Sequence, residues 1–268
     1  MKIHGGSALL AILADPVAQA RAPELINAAL ASRDCDAVLV PLRVPSEALE
    51  RVVVALRAIG NFKGAVVSMP HKSPMLSLVD EATPQAREVG ACNVIRREAD
   101  GRLFATMYDG EGFVAGLRRA GHDVAGRRVF LAGAGGAASA IAFALGKFGA
   151  AALTIHNRTA AKATALAARV QRTWPRFAVC VCGEDARGHD LVINGTSLGM
   201  REGDPLPLDA RTLDRGALVA EIVISDAATP FLAAARERDC TLHPGKPMLE
   251  AQIDLMIEFM GLTAKEER

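Results

Sequence analysis

A glycine-rich turn between an apolar strand and an alanine-rich helix constrains this chain more than any other feature of its sequence. The turn is Gly133-Ala134-Gly135-Gly136-Ala137-Ala138, and it directly follows the apolar residues 129–132. Glycine lets the backbone turn sharply and approach a pyrophosphate, whose charge is stabilised by amide donors at a helix N-terminus. This strand–turn–helix context predicts a dinucleotide site formed by Gly133, Ala134, Gly135, Gly136 and Ala137.

The residues after the next strand indicate which dinucleotide is bound. Folds that prefer NAD place an acidic residue about 20 positions further on, where it bonds the ribose hydroxyls. Here that place holds Asn157, Arg158 and Thr159, with Lys162 one helical turn later and no acidic residue before Glu184. Basic side chains can bind a 2′-phosphate, which a carboxylate would repel. The sequence therefore favours NADP.

Apolar stretches of strand character alternate with segments of helical period, which predicts an α/β fold with parallel sheets. Predicted strands cover residues 9–13, 37–42, 65–69, 91–95, 103–107, 128–131, 153–156, 177–182, 191–194 and 218–224. Predicted helices cover residues 23–31, 47–59, 73–80, 110–120, 137–148, 162–173 and 247–260. We place one domain at residues 1–108 and a Rossmann-type dinucleotide-binding domain at residues 109–244.

The composition of the chain indicates which kinds of binding partner are not expected. The chain has 268 residues, of which 50% are hydrophobic and 23% charged, as in ordinary globular proteins rather than disordered ones. A net charge of +1 gives no indication of nucleic acid or an anionic membrane as partner. Five scattered cysteines fit neither a disulfide framework nor a zinc site, so no metal is expected. With no signal peptide or membrane-spanning run in the pattern, we expect a cytoplasmic protein.

Taken in order, short motifs along nearly the whole chain resemble those of the shikimate dehydrogenase family. Few of them are specific singly, but together they occur with spacing typical of the family. They are Asp15-Pro16 through Pro23 and Asn27, Ser68-Met69-Pro70-His71-Lys72, Gly90-Ala91-Cys92-Asn93, Asp109-Gly110, the Gly133 turn, Asn157-Arg158-Thr159, the run from Asn194 to Met200, Thr229-Pro230, and the run from Gly245 to Gln252.

The resemblance implies two α/β domains with an inter-domain cleft, substrate on the first and NADP on the second. The C-terminal helix, residues 245–268, would complete the first domain. The implied activity is reversible oxidation of a ring hydroxyl of shikimate, or of a similar cyclic hydroxy compound, within aromatic amino acid biosynthesis and the chorismate pathway. Such an enzyme would take only small-molecule partners and would be a monomer or homodimer.

The family's catalytic Lys and Asp correspond to Lys72 and Asp109. Hydride transfer to a ketone leaves charge developing on oxygen, and a positioned proton donor offsets that charge. A lysine amine held near a carboxylate can supply the proton. The resemblance further assigns substrate binding to Ala20, Ala22, Ser68, Asn93 and Gln252, and cofactor binding to Thr196, Ile222 and Gly245, the last two beside the nicotinamide.

The chain departs from the family where the substrate carboxylate would bind. Two serines of the family are Ala20 and Ala22, and further polar positions are Val66, Ile224 and Met107-Tyr108. Ala22 precedes Pro23 and is expected at a helix N-cap, where Ser would be preferred. Arg21 could bind a carboxylate instead. We therefore expect shikimate itself to be a poor substrate.

Several alternatives stay open on the sequence alone. One is authentic shikimate dehydrogenase with an altered carboxylate site, and another is a paralogue with a different, less carboxylate-dependent substrate. A non-catalytic NADP(H)-binding regulator is disfavoured because both Lys72 and Asp109 are present. A methylene-tetrahydrofolate-type dehydrogenase is disfavoured by the Asn157-Arg158-Thr159 motif and the run ending at Gln252.

Overall fold

The computed structural model describes residues 3–262, which divide into two compact units. The first unit contains the described residues up to Tyr108 together with those from Gln252 onwards, and the second contains Asp109–Ala251. Both are α/β units built on a six-stranded sheet, in agreement with the predicted fold class. No helix in residues 3–262 combines the length and apolarity that crossing a bilayer requires.

The first unit has a mixed sheet in the order β2-β1-β3-β5-β6-β4. Strand β1 pairs in parallel with β2 and β3, whereas β5 runs antiparallel to both β3 and β6. The parallel prediction is therefore wrong for β5, because the short turn joining β5 to β6 cannot make a crossover. The elements are β1 Ala8–Ala14, α1 Ala22–Ser32, β2 Ala37–Arg43, α2 Leu49–Ala58, β3 Phe62–Val67, α3 Lys72–Leu76, β4 Glu81–Ala82, α4 Pro84–Val89, β5 Val94–Arg97 and β6 Leu103–Thr106.

The second unit has an all-parallel sheet in the order β12-β11-β10-β7-β8-β9. Numbered from its first strand, this is the order 3-2-1-4-5-6 of the doubly wound dinucleotide-binding fold. The order reverses direction between β7 and β10, where ligands bind at the carboxyl ends of such sheets. The elements are α5 Asp109–Arg119, β7 Arg128–Ala132, α6 Gly136–Lys147, β8 Ala152–His156, α7 Ala160–Thr173, β9 Ala178–Val181, β10 Leu191–Asn194, β11 Leu218–Glu221, α8 Pro230–Glu237, β12 Thr241–His243 and α9 Lys246–Glu250.

The C-terminal segment differs from its prediction as one helix over residues 247–260. It forms α9 in the second unit and α10, Ile253–Phe259, in the first, with residues 251–252 between them. Gly116 of α5 admits the backbone of Pro247, since a Cβ there would lie 2.9 Å from the Pro247 carbonyl carbon. Helix α10 packs instead against α1. Of the predicted helical residues 245–268, those from 263 onwards lie outside the described part of the chain.

The start of α1 differs from the expectation that Ala22 is its N-cap. Its N-cap is Arg21, without a side-chain capping bond, and Ala22 is the first helical residue rather than the cap. Pro23 is accommodated in the first turn, where its missing N–H has no intrahelical partner to lose. A serine at position 22 would therefore offer its hydroxyl to a ligand and not to the helix end.

Candidate active site

The glycine turn lies between β7 and α6, as predicted. Gly133 has a φ of +117°, and a Cβ on it would lie 2.8 Å from the carbonyl oxygen of Gly195. Its N–H donates to the His156 carbonyl at 2.7 Å, which ties the turn to the end of β8. Ala138 is small enough for this close approach, since a Cβ on Gly195 would meet its methyl group at 3.0 Å. The turn and the amide donors of the first turn of α6 fit a pyrophosphate.

The residues predicted to choose the dinucleotide follow β8 in the same unit. Arg158 and Lys162 are exposed, and neither has an ion-pair partner among residues 3–262. Asn157 donates its side-chain amide to the Thr159 carbonyl at 3.0 Å, which shapes the entry into α7. Two cations, one just before α7 and one in its first turn, are therefore exposed to solvent near the glycine turn, where they can bind a phosphate.

A third loop follows β10 and contains Thr196. The Asn194 side-chain oxygen accepts the Thr196 N–H at 3.1 Å and its hydroxyl at 2.7 Å. The Ile222 N–H donates to the Asn194 carbonyl at 3.1 Å. A Cβ on Gly245 would lie 2.8 Å from the Ile222 carbonyl oxygen. Hydrogen bonds to Asn194 and a close approach that only glycine permits thus bring Thr196, Ile222 and Gly245 together at the carboxyl ends of β10, β11 and β12.

Asp109 begins α5 and is 3% exposed. A carboxylate at a helix N-terminus is stabilised by the positive end of the helix dipole. The next residue, Gly110, contacts the backbone of Ala140 on α6 so closely that a Cβ would collide with its carbonyl oxygen. Asp109 is therefore held on a helix that packs directly against the helix opened by the glycine turn.

Lys72 begins α3 in the first unit and is partly exposed. The residue before it, His71, is 1% exposed and its Nε2 bonds the Val44 carbonyl at 2.7 Å, which anchors the start of the helix. The Lys72 carbonyl accepts the Cys92 N–H at 2.9 Å. Burial raises the pKa of the Cys92 thiol to about 12, against the influence of the Lys72 charge, so this thiol stays neutral beside the ammonium.

Two of the predicted substrate-binding amides in the first unit contact each other. Asn93 and Gln252 are 1% and 2% exposed, and Asn93 Nδ2 donates to Gln252 Oε1 at 2.7 Å. Asn93 Oδ1 accepts the Tyr108 N–H at 2.8 Å, which fixes the orientation of both amides. Gln252 lies at the N-cap of α10 and not within a helix as expected. Ser68 is partly exposed, and its carbonyl accepts the His71 N–H at 2.8 Å.

The remaining predicted substrate positions lack polar side chains. Ala22 and Val66 are buried at 4% and 6% exposure, while Ala20 and Ile224 are partly exposed. Arg21, between the two alanines, forms a 3.6 Å ion pair with Glu24. A carboxylate ligand would therefore compete with Glu24 for this guanidinium.

The sequence did not reveal a buried carboxyl group at the end of β11. Glu221 is 1% exposed, and Thr229 donates its hydroxyl to Glu221 Oε2 at 2.9 Å. Burial raises the pKa of Glu221 to about 7, although hydrogen bonds from Thr229 and Asn194 oppose the shift. The available signal was a single acidic residue inside the apolar run of residues 217–224. Within residues 3–262, no three His, Cys, Asp or Glu side chains are placed to hold a metal ion.

Comparisons with known proteins cover nearly the whole chain. Residues 12–95 match the shikimate dehydrogenase substrate binding domain, and residues 117–197 match the shikimate / quinate 5-dehydrogenase model. A shikimate dehydrogenase (NADP(+)) from Rubrobacter xylanophilus is 40% identical over 252 residues, covering 92% of this chain and 88% of the relative. One from Rhodospirillum rubrum is 39% identical over 267 residues, covering 93% of each.

Solved structures of shikimate dehydrogenases are also similar to this chain. The shikimate 5-dehydrogenase from Thermus thermophilus, in complex with NADP(H) and shikimate, has a TM-score of 0.85 and 29% sequence identity to this chain. The match covers 96% of this chain and 95% of that structure. The identity, the coverage and the shared two-unit α/β architecture lead to one conclusion: this chain belongs to the shikimate dehydrogenase family.

Proposed function

We propose that this protein is an NADP-dependent oxidoreductase that reversibly oxidises a ring hydroxyl of shikimate. The observation that carries the proposal is the Gly133 turn, with its positive φ and close approach to Gly195, beside the exposed Arg158 and Lys162. The relatives named above act with NADP(+), and the Thermus thermophilus structure holds both NADP(H) and shikimate. Similarity over more than nine-tenths of the chain extends these properties to this protein.

The second unit is the proposed NADP-binding domain. The turn from Gly133 to Ala137 would hold the pyrophosphate by backbone amides, and Arg158 and Lys162 would bind the 2′-phosphate. Asn157 and Thr159 shape the loop that carries these two cations, while Thr196, Ile222 and Gly245 form the neighbouring edge of the site. When bound, NADP supplies the acceptor for the hydride that leaves the substrate carbon.

The first unit is the proposed substrate domain, with Lys72 as the proton-transfer group, and the family resemblance assigns Asp109 as its catalytic partner. In the oxidation direction the hydroxyl proton passes to Lys72 Nζ. In the reduction direction the ammonium returns a proton to the developing alkoxide, where its positive charge is also stabilising. Asp109 would favour the ammonium form and orient it. The Asn93–Gln252 amide pair, with Ser68, would bind substrate hydroxyls.

The comparisons favour shikimate oxidation over the alternatives of a paralogue with another substrate, a non-catalytic regulator and a folate-type dehydrogenase. The substrate is a small molecule. We also propose a cytoplasmic location, because the scattered spacing of the five cysteines is typical of a chain from a reducing compartment. A monomer or a homodimer remains our proposal for the oligomeric state.

The decisive experiment follows NADPH formation with shikimate as the substrate. We expect turnover with wild-type protein, and Lys72→Ala should lower kcat by about a hundredfold to ten-thousandfold while NADP binding survives, as for other acid/base groups. Asp109→Asn should behave similarly, and the double variant should lose less than the product of the two single losses if they act as one unit. Absence of NADPH formation by the wild type, or near-normal kcat in Lys72→Ala, would contradict the proposal.

A further inference from the structure

Three buried polar residues of the second unit connect the ends of β10 and β11 to the start of α8. Asn194, Glu221 and Thr229 are 0%, 1% and 3% exposed. Asn194 and Glu221 are partners across the parallel pairing of β10 and β11, so their side chains lie on the same face of the sheet. Both Thr229 and Asn194 hydrogen-bond the Glu221 carboxyl group. We call these three residues the Glu221 cluster.

The Glu221 cluster controls the shape of the loop after β10. Besides its bonds to Thr196, Asn194 donates its side-chain amide to the Leu198 carbonyl at 3.0 Å. The Thr196 hydroxyl in turn accepts the Leu198 N–H at 3.0 Å. Gly199, with a φ of +98°, lies in van der Waals range of Thr229, since a Cβ on it would be 3.5 Å from the threonine Cβ.

The Glu221 cluster also contacts the segment after β11, which in turn contacts Gly245. Ile222 follows Glu221 directly and donates its N–H to Asn194, while Gly245 contacts the Ile222 carbonyl. Thr229 is the N-cap of α8, since its hydroxyl accepts the Leu232 N–H at 3.2 Å. A change at Glu221 would therefore pass to Thr196, Ile222 and Gly245 together, whereas Arg158 follows β8, which does not pair with β10 or β11.

We propose that Glu221 is a positioning residue for the cofactor, which acts through Asn194 and Thr229 to fix the loops that hold the nicotinamide end of NADP. This inference rests on the proposed function, because Thr196, Ile222 and Gly245 are assigned to the cofactor there. Glu221 itself is buried behind these loops and acts on the cofactor only through them.

The hydrogen-bond partners of Glu221 suit its ionised form, whereas its burial favours the protonated one. Both neighbours donate hydrogen bonds to it, and Asn194 Oδ1 already accepts two bonds from Thr196. A protonated carboxyl group would need an acceptor in that place. Among the described residues, no charged side chain contributes to the pKa of Glu221, which burial raises to about 7. Protonation of Glu221 as the pH falls through about 7 should therefore weaken the hydrogen bonds that orient Asn194 and Thr229, although burial favours the neutral carboxyl group.

The test compares two ligands that share the adenosine end. Isothermal titration of wild type and Glu221→Gln uses NADP⁺ and adenosine 2′,5′-bisphosphate, which lacks the nicotinamide. Glu221→Gln should weaken NADP⁺ binding about tenfold and change binding of the bisphosphate less than about twofold, as expected for the loss of one charged hydrogen-bonding group. Wild-type NADP⁺ affinity, relative to that of the bisphosphate, should fall on acidification across the Glu221 pKa of about 7, and that ratio should stay flat in the variant.

A second pair of variants tests the same hydrogen bond with Glu221 left in place, so that a folding defect in Glu221→Gln does not decide the result. Thr229→Val removes the hydroxyl that reaches Glu221 and should reproduce the selective loss of NADP⁺ affinity, whereas Thr229→Ser keeps the hydroxyl and should retain most of that affinity. Equal weakening of both ligands, or no change in either, would overturn the positioning role. Wild type that binds NADP⁺ but does not oxidise shikimate would refute the proposed substrate and leave this comparison intact. Wild type that does not bind NADP⁺ would refute both.

Discussion

Two buried titratable groups in the second unit have opposite effects on the pH dependence of folding. Burial raises the pKa of Glu221 from 4.5 to about 7, while burial and the charge of His122 lower the pKa of His243 from 6.5 to about 4. The stability contributed by Glu221 is fully present below pH 4.5 and is lost as the pH rises through about 7. That of His243 is fully present above pH 6.5 and is lost as the pH falls through about 4.

Between pH 4.5 and pH 6.5 the effects of Glu221 and His243 on the pH dependence of the unfolding free energy should cancel. In that window the folded protein carries one proton on Glu221 and none on His243, whereas the unfolded chain carries none on the glutamate and one on the histidine. The free energy of unfolding changes with pH in proportion to the difference in bound protons between the two states. Together the two groups therefore add no pH dependence to the free energy of unfolding. Removing either one should make that free energy change by about 1.4 kcal/mol per pH unit relative to wild type.

Urea unfolding at several pH values within this window tests the cancellation. Relative to wild type, the free energy of unfolding should rise with pH in Glu221→Gln and fall with pH in His243→Gln, each by about 1.4 kcal/mol per unit. The double variant should recover the wild-type slope. Subtracting the wild-type curve removes the contribution of all other titrating groups. Single variants whose curves run parallel to that of the wild type would refute the reasoning.

The remaining predictions concern recognition. Arg158→Ala should weaken NADP binding by about 1.5–3 kcal/mol, the value of a charge-assisted hydrogen bond, and leave NAD binding unchanged. The matched control Arg172→Ala, in the last turn of α7, the helix that follows Arg158, should alter neither cofactor's affinity. Equal NADP and NAD affinities in wild type would contradict the assignment. Restoring two hydroxyls with Ala20→Ser/Ala22→Ser should raise kcat/KM for shikimate at least tenfold, on the order expected for one or two added hydrogen bonds. Unchanged steady-state kinetics would show that Arg21 or the backbone already binds the carboxylate.

The cofactor turn was predictable because its requirements are local. Glycine at 133 and small residues up to Ala138 are needed by backbone geometry alone, and the flanking strand and helix are visible as periodic apolar segments. Two helices were missed although a local signal existed. Helices α4 and α8 each begin with a Thr-Pro pair, and Thr83 and Thr229 both accept a hydrogen bond from the backbone three residues later. These helices have only 6 and 8 residues, too few to show a helical period.

Other features depend on contacts between distant parts of the chain. The break between α9 and α10 follows from separate packing partners, α5 for one and α1 for the other, which no periodicity within residues 246–259 encodes. The Asn93–Gln252 bond joins side chains 159 positions apart. Glu221 was missed for the same reason, because its donors Thr229 and Asn194 lie on other segments and only the fold makes them neighbours.

The proposed cofactor residues and the proposed substrate residues differ in how they can change during evolution. The cofactor site is held mainly by main-chain groups, and substitution of Gly133 or Gly245 would place a Cβ against backbone atoms that cannot move aside. The substrate site is held by side chains, and Ala20 and Ala22 stand in a loop and first helical turn that do not need a hydroxyl for their own hydrogen bonding. Replacing serine by alanine at these two places therefore costs the fold little and changes only what a ligand meets. The proposed cofactor residues and the proposed pair of Lys72 and Asp109 can thus be kept while affinity for the substrate carboxylate changes.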